Sequence, residues 1–159
     1  MWAPVAYEGP ARALVGALKF RGAQALAGAM AAQIAAGVPE RLRAGRALVP
    51  VPLHPSRLRA RGFNQAERLA RSLAERTGMR VADCLVRTDG GGHQMGRARR
   101  DRLNAVATAV RPGADPPRGA VLVDDVVTTG ATLGACAAAF RAAGAEPLGG
   151  LAYARTSGR

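Results

Sequence analysis

Asp124 and Asp125 stand side by side at the end of the apolar run 121–123, and Thr128, Thr129 and Thr132 follow around Gly130 and Ala131. A short β-branched and aliphatic run fills a buried parallel strand, so two carboxylates where it should continue mark a strand tip at which polar chemistry begins. The threonines and Gly130 precede an alanine-rich segment, 134–144, that reads as a helix. The order is therefore strand, tight turn, helix N-terminus. The first N–H groups of a helix have no partners within it, and the helix dipole makes that end electropositive, so a turn of this kind takes a phosphate. Gly130 permits close backbone approach or a positive φ, and the three hydroxyls donate to phosphate oxygens. Asp124 and Asp125 repel the same phosphate. They should face groups that donate protons or carry positive charge, such as sugar hydroxyls or a magnesium-bound ligand.

Two familiar phosphate motifs fail on spelling. A P-loop needs G-x-x-x-x-G-K-[ST], and no lysine follows Gly130; a dinucleotide turn needs G-x-G-x-x-G, and only Gly130 and Gly134 are present. The purely architectural alternative is a buried strand and a capped helix joined by an acidic turn. Adjacent aspartates before a threonine-rich turn contribute little to packing.

The rest of the 159-residue chain must position that turn. Residues 10–20 carry Leu14, Val15 and Leu18 at helical spacing, and 23–36 present Leu26, Met30 and Ile34 before Gly37 and Pro39, so two helices precede any strand. A basic connection, 40–46, leads to a strand at 47–51, which Pro50 and Pro52 end. Residues 53–65 read as a loop holding His54, Ser56, Arg57, Arg59, Arg61, Asn64 and Gln65, and 66–76 as a helix stopped by Gly78. With three arginines on one turn after a strand, this loop reads either as a second anion site or as a solvated basic loop. A strand at 81–86, a glycine-rich mobile stretch at 88–95, a basic run of Arg97, Arg99, Arg100 and Arg102, and a Pro/Gly turn at 111–118 come next. A final strand, 147–154, contains Gly149 and Gly150, read as a close approach to a ligand or a bulge. Strands alternating with helices imply right-handed βαβ units, with ligands outside the strand C-termini, where both anion loops fall.

The net charge is +12 and Lys19 is the only lysine. Arginine together with alanine is what a GC-rich genome encodes, but the excess over eleven acidic residues also favours a polyanion, either a phosphorylated metabolite or nucleic acid. An aromatic share of 4% argues against a stacking platform for single strands. Cys84 and Cys136 read as small buried residues rather than a bridge or a zinc site. No signal peptide or membrane span is visible, so a cytoplasmic protein with no membrane partner is expected.

Residues 121–133 resemble the phosphoribosyl pyrophosphate (PRPP) motif of type I phosphoribosyltransferases: a hydrophobic run, two acidic residues and a Thr/Gly turn. Residues 49–65 resemble, nearly residue for residue, the P-V-P-L-H-x-x-R-L-R-x-R-G-F-N-Q segment of the ComF (competence protein F) family, whose members are phosphoribosyltransferase-like. The likeness runs from about residue 7 to 155. Gln94 and Arg102-Leu103-Asn104 stand where that family carries a Gln and an R-x-x-N signature, here in a shortened spelling. Many members begin with a Cys-rich zinc module, and this chain holds no C-x-x-C pair.

The resemblance implies an α/β fold over 1–159: a type I phosphoribosyltransferase-like parallel sheet flanked by helices, with a small N-terminal helical hood within 1–46. It assigns Asp124 and Asp125 to the ribose and to catalysis, and Thr128, Thr129, Gly130, Ala131 and Thr132 to the 5-phosphate. His54, Ser56, Arg57, Arg59 and Arg61 are assigned to the pyrophosphate, and Arg97, Arg99, Arg100 and Arg102 to a flexible closing loop. It implies a transferase of nucleotide metabolism that moves phosphoribosyl from PRPP to an unidentified nitrogen nucleophile and releases pyrophosphate. Magnesium would arrive bound to PRPP, with no metal coordinated directly by the protein. The alternative is a non-catalytic PRPP-sensing or DNA-uptake accessory protein that binds nucleic acid through its basic surface. A homodimer is compatible with either.

Overall fold

The computed structural model describes residues 1–19, 24–87 and 110–157. A five-stranded parallel sheet runs β1 (Val5–Ala6), β7 (Gly149–Arg155), β6 (Ala120–Val127), β2 (Ala47–Pro50), β3 (Arg80–Val81) in spatial order. Central β6 pairs with β2 from Ala47↔Ala120 to Pro50↔Val123, and with β7 from Val121↔Gly149 to Val127↔Arg155. The helices are α1 (Gly9–Leu18), α2 (Gln24–Gly37), α3 (Glu40–Arg43), α4 (Pro55–Arg61), α5 (Gln65–Thr77) and α6 (Ala131–Ala142). The expected α/β fold with a parallel sheet flanked by helices is the fold observed.

Strand alternation divides the core into two layers. Val121 and Val123 of β6, Leu48, Leu151 and Tyr153 pack with Val15, Met30, Ile34, Leu69 and Leu73, which places α1, α2 and α5 on one face. Ala120, Leu122, Val49 and Ala152 pack with Leu133, Cys136, Ala139 and Phe140 of α6 on the other. The N-terminal helices thus lie in the α5 layer, where the Tyr153 hydroxyl donates to Gln33 Oε1 at 2.9 Å. An antiparallel ribbon of β4 (Leu85–Arg87) and β5 (Val110–Pro112) contributes Cys84, Leu85 and Val110 to the α6 layer. Among the described residues no helix is long and apolar enough to cross a membrane. Cys84 and Cys136 are both free thiols and both buried.

Several local expectations are corrected. A two-residue strand, β1, precedes the helices, too short to show a period. The single strand expected at 81–86 is two: Ala82 N donates to the Leu48 carbonyl and closes β3, while Gly113 N donates to the Cys84 carbonyl and opens the ribbon. The turn expected at 111–118 begins inside β5. Gly150 packs closely against α6, where a Cβ would lie 3.1 Å from Leu133 Cδ1. Most consequential is α4, which replaces the loop expected over 53–65. Pro55 occupies the first turn, where its missing N–H is harmless, and Gly62 closes the helix in the left-handed region at φ 78°.

Candidate functional site

At the end of β6, Gly130 (φ 77°) is the N-cap of α6, and Gly134 N makes the first helical bond to its carbonyl at 2.8 Å. Thr129 Oγ1 accepts from Ala131 N at 3.3 Å. The first turn of α6 carries no acidic side chain, so nothing on the helix offsets the positive end of its dipole. Asp124, Val126, Val127, Thr128, Gly130, Ala131, Thr132 and Leu133 enclose a polar nook of about 20 Å³. All five residues expected at the phosphate turn fall on this one strand-to-helix corner.

A second hollow, about 180 Å³, opens beside it between the ends of β2 and β6 and the start of α5. Its walls include Arg57, Asn64, Gln65, Arg87, Asp124, Asp125 and Thr132. Asn64 fixes the corner: its Nδ2 donates to the Val51 carbonyl at 2.9 Å, and its Oδ1 accepts from Ala66 N at 3.0 Å as the N-cap of α5. Because 55–61 is helical, its arginines do not converge on one turn. Arg57 faces the hollow, whereas Arg61 Nη1 donates to Gln65 Oε1 at 3.2 Å and Arg59 is exposed away from the wall. His54 Nδ1 accepts from Ser56 N at 3.3 Å and lies 2.7 Å from Ser56 Oγ, so these two organise the start of α4. Arg97, Arg99, Arg100 and Arg102, with Gln94, lie outside the described residues.

Competence protein F of Haemophilus influenzae is 35% identical over 112 residues, covering 67% of this chain and 49% of that protein. Competence protein ComFC of Streptococcus pneumoniae is 32% identical over 101 residues, covering 63% and 44%. The chain belongs to the ComF family. It spans about half the length of the curated relatives it matches. No family model matches it.

In this ComF member the acid pair is built by alternation along β6. Asp124 follows Ala120 and Leu122 onto the α6 side, and Asp125 follows Val121 and Val123 onto the α5 side. Register with β2 stops at Val123, and there each carboxylate takes a backbone amide: Asp124 Oδ1 from Asp125 N at 2.8 Å, Asp125 Oδ1 from Val126 N at 3.0 Å. Asp124 is half-buried and forms part of the wall of both hollows. Burial pushes its carboxyl well above the usual range, the negative charge of Asp125 pushes the same way, and the Arg87 guanidinium opposes both. Cys136, beneath it, is pushed up to about 12, chiefly by burial and then by Asp124, which makes it an inert thiol at neutral pH. Among the described residues no group of three or more His, Cys, Asp or Glu side chains converges to hold a metal ion.

Sequence reasoning passed over Arg87. In β4 Leu85 is buried and Val86 exposed, so Arg87 turns inward; three residues are too few for the sequence alone to show that alternation. An arginine on the inward face of a strand calls for a reason.

Proposed function

We propose that this ComF member binds PRPP and transfers its phosphoribosyl group to a nitrogen nucleophile, releasing diphosphate. The observation that carries the reading is that Asp124 and Thr132 are walls of both hollows. One hollow has the helix-terminal amides suited to a monophosphate, and the other has arginine suited to a more highly charged group. A ribose bridging a 5-phosphate and a 1-diphosphate requires hydroxyl acceptors at that junction, and carboxylates are acceptors only.

In this reading Thr128 to Thr132 hold the 5-phosphate, Asp124 and Asp125 accept from the ribose hydroxyls, and Arg57 takes diphosphate charge. The C1–O bond to diphosphate breaks as the nitrogen lone pair bonds to C1, and the nitrogen gives up its proton afterwards. Fixing both ends of the sugar aligns C1 with the nucleophile, and nearby carboxylates stabilise the cationic ribose that develops. Asp124 and Asp125 are the residues that would approach a magnesium ion carried on PRPP, since two carboxylates plus substrate oxygens suit that ion. Bound there, it would neutralise charge growing on the leaving diphosphate. Diphosphate release, assayed against a panel of nucleobases and other amines, tests the transfer. Release that depends on both PRPP and one acceptor is expected; no release with any acceptor contradicts turnover.

A second reading has its own support. Both relatives carry competence in their names, and a net charge of +12 suits DNA. A competence-related role for this chain follows by family, either through the PRPP chemistry or through nucleic-acid binding.

A further inference from the structure

Arg87 ends β4 on the wall of the larger hollow, with Arg57, Asp124 and Asp125. Its Nε is buried and has no hydrogen-bond partner, and among the described residues Arg87 makes no ion pair. Its charge is felt by Asp124 and by Cys136, yet neither aspartate closes a contact with it. A buried donor on a charged group that lacks a partner is unfavourable, and such exceptions in native proteins ask for an explanation. Here the cation borders open space. The N-terminus of α5 borders the same space through Asn64, Gln65 and Ala66, and its dipole adds positive potential there, partly offset by Glu67 of the first turn, which is paired with Arg71.

We propose that Arg87 is a binding residue for the diphosphate end of the ligand, on the same hollow as Arg57. The proposal rests on reading the hollow as a PRPP site, and it adds a residue outside the 54–61 segment to which the family resemblance gives the diphosphate. The phosphate turn is not the target, because Arg87 is absent from the walls of that nook. A fork of parallel N–H donors matches phosphate oxygens in a way that the ammonium of lysine does not. Among the described residues Arg87 Nε has no partner, and the ligand would supply one.

The test is calorimetric titration of wild type, Arg87→Gln and Arg87→Lys with inorganic diphosphate, ribose 5-phosphate and PRPP in magnesium buffer, with the melting temperature of each free protein. The expected result is a loss of at least about tenfold in affinity for diphosphate and PRPP in Arg87→Gln, as for a lost charged hydrogen bond. A smaller loss is expected in Arg87→Lys. Ribose 5-phosphate should bind all three alike, and the free variants should melt no lower than wild type. Diphosphate binding that is absent in wild type, or unchanged in Arg87→Gln, overturns the proposal. So does an equal loss of ribose 5-phosphate with a lowered melting temperature, which would make Arg87 a structural residue. If wild type binds diphosphate through Arg87 but neither ribose 5-phosphate nor PRPP, the inference stands and the PRPP reading falls; PRPP binding indifferent to Arg87 gives the reverse.

Discussion

Asp124 concentrates the tension between stability and ligand binding. Its carboxyl titrates above the usual range because burial, and then Asp125, disfavour its charge. The folded protein therefore holds that proton more tightly than the unfolded chain does. The associated stability is lost as pH rises from the unfolded value near 3.8 through the raised folded value. Asp124→Asn removes the titration while keeping the shape. Thermal melts from pH 4 to 7 should show the variant gaining on wild type as pH rises, and a constant or shrinking difference would contradict the assignment. Gly130 is constrained differently. At φ 77° a side chain is strained, and a Cβ would meet Met1 Cε at 2.5 Å. The exposed Met1 side chain can swing aside, so backbone strain dominates in Gly130→Ala, and a loss of about 1–2 kcal/mol is expected in denaturant unfolding. Phosphate affinity should fall with it, as the amides of the turn move.

Among the elements, the junction of β2 and α5 governs the larger hollow. Asn64 caps α5 and also holds the Val51 carbonyl. Asn64→Ala should cost about 0.5–2 kcal/mol for the cap alone, with PRPP binding weakened more than the binding of inorganic phosphate, because the phosphate turn belongs to α6. Equal weakening of both ligands would show that the two hollows are not separately built. The β6–turn–α6 unit was legible in the sequence because its chemistry is local: an apolar run, two acids, a glycine and hydroxyls at fixed spacing. Helix α4 was not, because Pro55 reads as a loop residue when taken alone and as a helix start only once Gly62 is seen to close the turn. That difference separates Arg57 from Arg59 and Arg61, which loop reasoning had grouped. Arg87 escaped because a three-residue strand is too short for alternation to show, and its inward turn depends on the partner strand β5. Gly149 and Gly150 were visible as exceptions, but that Gly149 faces Leu42 of α3 and Gly150 faces Leu133 of α6 depends on how those helices pack.

For the molecule as a whole, the issue is what its net charge of +12 serves. Site-directed charge and diffuse surface charge respond differently to salt. DNA affinity should fall steeply with salt, because each neutralised phosphate releases counterions, and it should fall by small steps as exposed arginines such as Arg59 are removed. PRPP affinity should instead be insensitive to Arg59→Ala and should collapse with Arg57→Ala. Parallel titrations with PRPP and duplex DNA at two salt concentrations check this, and PRPP binding that tracks Arg59 would contradict it. The central claim is that Asp124 and Asp125 hold a ribose between the two hollows, and its most direct test is calorimetric titration of magnesium-PRPP into wild type and into a folded Asp124→Asn/Asp125→Asn double variant. The account predicts binding by wild type and a loss of about 1.5–3 kcal/mol for each charged hydrogen bond removed. Wild type that ignores PRPP, or a folded double variant that binds it equally well, would contradict it.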